Sequence, residues 1–205
     1  MKNKYTPDQD KFPFFETIRV SGGLVEQADL HLERMRRTCF FHYGAFHFER
    51  IFDKLKASEN GIIKLNIWYN QHETEIKVSE YVPAELKTIK VVACDPDFDY
   101  SFKYSNRSYL NSLLQSASGA DEIVIVKSEM VTDTSKANIV FEKDGVFYTP
   151  DTFLLNGTMR QFLITTGKVT EKAIKAEDIS EYERMYFINA MNPLESALGF
   201  ECFRM

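Results

Sequence analysis

Cysteine is scarce in this chain: Cys39, Cys94 and Cys202 are the three among 205 residues, and none sits in a CxxC pair or at a Cys/His ligand spacing. A disulfide framework and a zinc site are not indicated, no metal is expected, and the thiols read as buried. Long apolar runs are lacking too, as is an N-terminal segment combining a basic start, an apolar stretch and a small-residue cleavage site. The expectation is a cytoplasmic protein with no membrane partner. No dense Lys/Arg block occurs and the formal charge is −5, which argues against nucleic acid as the main partner. GxGxxG, GxxxxGK[ST], HExxH and GxSxG are all missing, so nucleotide-binding, metalloprotease and α/β-hydrolase readings lack their signature. There are no internal repeats or low-complexity tracts. The sequons at Asn106 and Asn156 carry little weight without a secretory signal.

What is present is a globular composition: 44% hydrophobic and 14% aromatic residues, enough for one compact core or two small ones. PFFETIRV reads as a strand and GG as a turn. LVEQADLHLERMRRTCFFHYG begins as strand and becomes helix, with Asp29 as the expected N-cap. HFERIFDKLKAS carries Phe48, Ile51, Phe52 and Leu55 at helical spacing, and IIKLNIWYN and TEIKVSEYVP alternate as strands. These elements predict a small α+β domain over residues 1–93. A turn-rich linker over 94–101 follows, and a larger domain over 102–205. In the latter, SYLNSLLQSASGA reads as a helix ended by Gly119, DEIVIVKSE as a buried strand, and FEKDGVFYTP as a hairpin turning at Asp144 and Gly145. MRQFLITTG is a helix stopped by glycine, and YFINAMNP is a strand halting in an Asn/Pro loop.

Two stretches do not fit that scaffold. TDTSKAN interrupts a strand pattern with small and polar residues led by Asp133, and FKYSNRSYL sets Lys103 between two aromatic residues just before a helix. Most lysines are solvated surface groups, but one held in a partly apolar site has a lowered pKa and a free amine able to attack a carbonyl. Such a lysine needs an acid for a pyridine nitrogen and donors for a phosphate. The histidines His31, His42, His47 and His72 are not paired at ligand spacing and read as structural.

FETIR (15–19), HLERMRR (31–37), KYSNR (103–107), TDTSKANIVF (132–141), NGTMRQF (156–162) and INAM (188–191) occur in one order along the chain. In this it resembles the class IV (fold type IV) pyridoxal-phosphate enzymes, which include branched-chain aminotransferases, D-amino-acid transaminases and 4-amino-4-deoxychorismate lyases. The resemblance implies an α+β fold like that of D-amino-acid aminotransferase, with a larger, mostly β, cofactor-binding C-terminal domain, and pyridoxal 5′-phosphate as cofactor. Lys103 matches the lysine that binds the cofactor covalently and shuttles a proton. Arg34 matches the arginine gripping the phosphate. Thr158 and Met159 match one amide cradle of that phosphate, Asn189 and Ala190 a second, and Arg107 and Asn138 complete the cofactor set. Asp133 stands where the family places a glutamate against the pyridine nitrogen, one methylene shorter.

Within the family, the motifs around Lys103, Asn156 and Asn189, and the threonine of FETIR, look like the lyase's versions. Thr17 and Asn189 match positions that handle its substrate. The implied reaction eliminates pyruvate from aminodeoxychorismate to give p-aminobenzoate, a folate-pathway step. A D-amino-acid or branched-chain transaminase, and a shortened relative that binds cofactor without turnover, stay open as alternatives. The chain is short at both ends for the family, so an altered pocket is expected. The partners implied are a small amino substrate and a second copy of the chain, with the ring-rich CFFHYGAFHF (39–48) as a candidate dimer face.

Overall fold

A computed structural model describes residues 7–53 and 61–202, and the chain divides into two compact units. The first consists of Met1–Val82 with Phe102–Asn106, the second of Pro83–Ser101 with Arg107–Met205.

In the first unit β1 (Phe14–Ser21), β2 (Leu24–Val25), α1 (Ala28–Tyr43), β3 (Ile62–Tyr69) and β4 (Thr74–Glu80) follow in order. The strands pair antiparallel as β2-β1-β3-β4. Alternation along β1 decides its faces: Phe14, Glu16, Ile18 and Val20 are buried, and the residues between them are half-buried. Phe14, Ile18 and Val20 pack with Leu65, Ile67 and Tyr69 of β3 and with Met35 and Cys39 of α1. Fully burying side chains of this size contributes about 1.5–3 kcal/mol each. Glu16 is the one charged residue in that apolar row, and it needs a partner.

Two local expectations differ from the structure. The cap of α1 is Gln27 in left-handed backbone (φ 47°), not Asp29, which lies in the first turn. There its charge still faces the positive end of the helix dipole, so a cap side chain is not its only useful role. The second helix is not continuous through its described part: residues 49–53 form turns closed by Ile51 N–H to Phe48 O and Asp53 N–H to Arg50 O. The rest of HFERIFDKLKAS, including Leu55, lies outside the described residues.

The second unit contains β5 (Ile89–Ala93), α2 (Ser108–Ser116), β6 (Glu122–Lys127), β7 (Met130–Thr134), β8 (Asn138–Lys143), β9 (Val146–Pro150), α3 (Thr158–Thr165), β10 (Thr170–Lys172), β11 (Arg184–Ile188) and β12 (Gly199–Glu201). Its sheet runs β10-β9-β8-β7-β6-β5, with β11 against β8 and β12 against β11. The four-residue Val/Ile run of β6, Ile123–Val126, is buried together with Glu122 before it, and the strand takes β5 in parallel on one side and β7 antiparallel on the other. Asp144 (φ 53°) and Gly145 (φ 72°) turn β8 into β9, the left-handed pair that a two-residue hairpin requires. Val131, Ile139, Phe141, Met185 and Phe187 fill one core, and Val140, Met159, Leu163 and Ile188 fill another.

The units divide differently from the boundaries read in the sequence. Residues 83–93 belong with the second unit, because β5 pairs with β6 from Ile89↔Glu122 to Ala93↔Val126. Residues 102–106 belong with the first, because Phe102 joins its core and Tyr104 bridges to Phe14. Apolar alternation marks a strand without saying which sheet will accept it.

Candidate functional site

The residues expected from the sequence divide between the units. In the first, the segment carrying Lys103 is tied to the start of β1: Phe15 N–H donates to Lys103 O (3.1 Å) and Ser105 N–H to Pro13 O (2.7 Å). The Lys103 amine lies 4.7 Å from the Phe15 ring centroid, within reach of the ring's face. Phe15 and Thr17 alternate onto the face of the sheet opposite the α1 core. The Lys103 amine and the Thr17 hydroxyl therefore belong to one face of one sheet.

On the α1 side Glu16 meets its partners. Arg34 Nε donates to Oε1 (2.8 Å), a second Arg34 nitrogen donates to Oε2, and His31 Nδ1 lies 2.7 Å from Oε2. All three residues are buried. Burial pushes the Glu16 carboxyl upward, but the Arg34 charge and the hydrogen bonds from Arg34 and His31 overcome it and hold the group at about 2. With Glu16 ionised, His31 Nδ1 must carry the donated proton; burial drives the imidazole pKa down against the pull of Glu16. Arg34, expected at the cofactor phosphate, is thus oriented by a carboxylate eighteen residues earlier, and no local signal announces that pairing.

In the second unit Asp133 is the centre. It is the last residue but one of β7, pairs in register with Asn138 at the start of β8, and is buried. Its Oδ1 accepts from Asn138 Nδ2 (2.8 Å), and its Oδ2 accepts from the backbone N–H groups of Leu154 (3.1 Å) and Leu155 (2.8 Å). Burial raises its pKa to about 7 even though those donors and the Arg160 charge pull it down. The polar run after it forms a braced loop. Thr134 Oγ1 accepts from the N–H groups of Lys136 and Ala137, buried Glu122 accepts from Ser135 N–H (3.1 Å), and Arg107 donates to Ser135 O. Arg107 and Asn138 therefore hold backbone, Asn138 also donating to Leu155 O (2.9 Å).

Leu154 and Leu155 lead into Gly157, the cap of α3. A Cβ at Gly157 would lie 2.1 Å from Asn138 Oδ1, so only glycine admits this approach. The first intrahelical bond runs from Gln161 N–H to Gly157 O, so Thr158, Met159 and Arg160 make up the first turn, at the positive end of the helix dipole, which favours anions. Buried Arg160 anchors the turn by donating to Asn156 Oδ1 (3.1 Å), Pro150 O (2.8 Å) and Glu171 (2.6 Å). After β11, Asn189 Oδ1 accepts from the N–H groups of Met191 (2.9 Å) and Asn192 (3.1 Å), and Ala190 is buried beside it. The Asn189 amide thus shapes its own turn. Glu16, Asn66, Glu122 and Arg160 were missed in the sequence reading; the one available signal was a polar residue within an apolar strand, as in LNIWY.

Each unit by itself holds groups of the kind that fit pyridoxal phosphate. In the first unit an amine stands over an aromatic ring; in the second the positive end of a helix dipole follows a loop held by a buried carboxylate at about 7, which has the character of a group awaiting a cationic ring nitrogen.

The amino-transferase class IV family matches residues 13–195. An uncharacterised protein of Haemophilus influenzae is 38% identical over 188 residues, 89% of this chain and 100% of that protein. The branched-chain-amino-acid aminotransferase of Pseudomonas aeruginosa is 37% identical over 94 residues, 40% of this chain and 31% of that one. A crystal structure from Haemophilus somnus 129PT, provisionally named a 4-amino-4-deoxychorismate lyase, superposes with a TM-score of 0.83 at 35% identity, covering 90% of this chain and 98% of that one. Ordered motifs, fold and extent of match agree: the chain belongs to the class IV aminotransferase family.

Proposed function

We propose that the chain is a pyridoxal-phosphate enzyme that eliminates pyruvate from 4-amino-4-deoxychorismate to give p-aminobenzoate. The observation carrying this reading is the hydroxyl of Thr17 on the same sheet face as the Lys103 amine, a donor that glycine at this place could not supply. Bound there, the cofactor supplies the electron sink that makes the carbon bearing the substrate amine acidic. The chain's own groups do the rest. Lys103 would hold the cofactor through its amine, and that amine would take the proton from the substrate carbon. Asp133 keeps a proton on the ring nitrogen, the α3 amides and Arg34 hold the phosphate, and the Asn189 turn closes the second part of the cradle. Loss of the proton and cleavage of the carbon–oxygen bond to the pyruvyl group leave an aromatic ring. Elimination is then strongly downhill, and the protein chiefly positions groups and moves protons. An aspartate in place of glutamate is compatible with so favourable a step.

The test supplies the amino substrate by coupled chorismate amination and measures p-aminobenzoate. Wild type should form it and Lys103→Ala should not, with loss of the borohydride-trapped lysine adduct. The likeness to a branched-chain aminotransferase over 94 residues supports a second reading, transamination. Conversion of the cofactor to its pyridoxamine form by single amino acids, without p-aminobenzoate formation, would favour that one.

A further inference from the structure

Thr17 and Asn66 face each other directly across β1 and β3. Asn66 is 8% exposed, in a strand whose neighbours Leu65 and Ile67 belong to the core, so its amide is a costly group to place there without a purpose. Its Nδ2 lies 2.9 Å from Thr17 Oγ1 and 3.4 Å from Glu16 O. The second contact fixes which way the amide points: a backbone carbonyl only accepts, and turning Asn66 over would set oxygen against oxygen. Thr17 Oγ1 is therefore an acceptor toward Asn66. A hydroxyl that accepts on one side has its hydrogen left to donate on another, and no acceptor among the described residues takes it.

We infer that Asn66 is a positioning residue that sets the polarity of the Thr17 hydroxyl, making it a hydrogen-bond donor to a substrate oxygen on the sheet face that carries the Lys103 amine. This rests on the lyase reading for the identity of that oxygen, which belongs to the departing pyruvyl group. As that bond breaks the oxygen gains negative charge, and a donor already aimed at it is worth more in the transition state than in the ground state. A threonine free to rotate would divide its time between donating and accepting; Asn66 removes the choice.

The test uses the holoenzyme and the nearly isosteric Asn66→Asp, whose carboxylate can only accept and so turns the Thr17 hydroxyl back on itself. Expected is a tenfold or greater loss in kcat, similar to that of Thr17→Val, with KM changed less than threefold. The double variant should lose no more than either single one. Lowering the pH should restore Asn66→Asp relative to wild type, because the protonated acid can donate to Oγ1 again; a merely structural asparagine predicts no such rescue. Asn66→Ala, without an added charge, serves if Asn66→Asp folds poorly, and should lose activity in kcat without rescue by acid. Losses that multiply in the double variant, or an Asn66→Asp enzyme with more than half the wild-type kcat, would overturn the inference. A second measurement needs no turnover: in the cofactor-free protein the Asn66 side-chain amide resonance should move in Thr17→Val and stay in Thr17→Ser. An unmoved resonance in Thr17→Val disproves the pairing whatever the reaction is. Failure of wild type to form p-aminobenzoate instead removes the lyase reading alone; the same variants are then compared in the amino-acid half-reaction, where absence of any Asn66→Asp effect overturns the positioning role.

Discussion

Two buried carboxylates in this protein are held in opposite ways. Asp133 has its pKa raised from 3.8 to about 7, so the folded, cofactor-free chain binds that proton more tightly than the unfolded one. Its contribution to stability is full below pH 4 and is lost as pH rises toward 7, on the order of 4 kcal/mol across the window. Melting of cofactor-free Asp133→Asn against wild type should show the gap shifting in favour of the variant over that range; a constant gap would mean that Asp133 is ionised throughout. Glu16 behaves inversely. Its pKa falls from 4.5 to about 2, so its contribution is present above pH 4.5 and lost on acidification toward 2. Because Arg34 supplies the compensating charge, Arg34→Ala leaves buried Glu16 with the His31 hydrogen bond but without its guanidinium, and should cost about 3–5 kcal/mol in the cofactor-free protein. Exposed Arg37→Ala should stay within about 0.5 kcal/mol. Comparable melting of the two variants would show that Glu16 finds other support. Pyridoxal-phosphate retention, measured alongside, should also fall in Arg34→Ala and not in Arg37→Ala. Asp133 was legible in the sequence because it heads a polar break in a strand pattern. Glu16 was not, because in FETIR it alternates with Phe15 and Thr17 as a solvent-facing residue would, and its partners lie a helix away.

At the scale of elements, the loop before α3 is where the second unit converges. Asp133 holds Leu154 and Leu155, Asn138 holds Asp133 and Leu155, and Gly157 passes against Asn138. Gly157→Ala must displace the Asn138 amide, freeing buried donors and acceptors at a cost of about 1–3 kcal/mol. Titration with pyridoxal phosphate should show at least tenfold weaker retention, while the turn into β9 at Asp144 and Gly145, distant in sequence, is untouched. Retention equal to wild type would mean that this approach is not what aligns the helix start. Most strands, the hairpin and the helix read in MRQFLITTG followed from periodicity and turn chemistry, but Thr132–Thr134, read as a polar interruption, end the strand β7, because buried polar side chains carry no apolar alternation. The short β10 and β12 did not follow, because three residues of strand carry too little pattern to separate from loop.

For the whole molecule, Phe40 and Phe41 on α1 are 54% and 72% exposed, while Cys39 and Phe46 of the same ring-rich run are buried. The run therefore fills the core with one part and presents the other, and we propose the exposed pair as part of a homodimer contact. Sedimentation should find a dimer at micromolar concentration that Phe41→Glu weakens; a stable wild-type monomer retaining cofactor would dismiss it.

The first unit is not one stretch of chain: Phe102–Asn106 return to it after Pro83–Ser101 have joined the other. Domains tend to fold as they leave the ribosome, N-terminal first, at about 5–20 residues per second. All four strands of the first sheet have been synthesised by Glu80, but Phe102 and Ser105, which complete its core and edge, emerge later, after the strand that will pair with β6. The nascent chain thus builds the sheet before it receives the lysine. A fragment ending at Val82 would carry the strands without the segment that finishes them, so the two units cannot be separated or exchanged at a single cut.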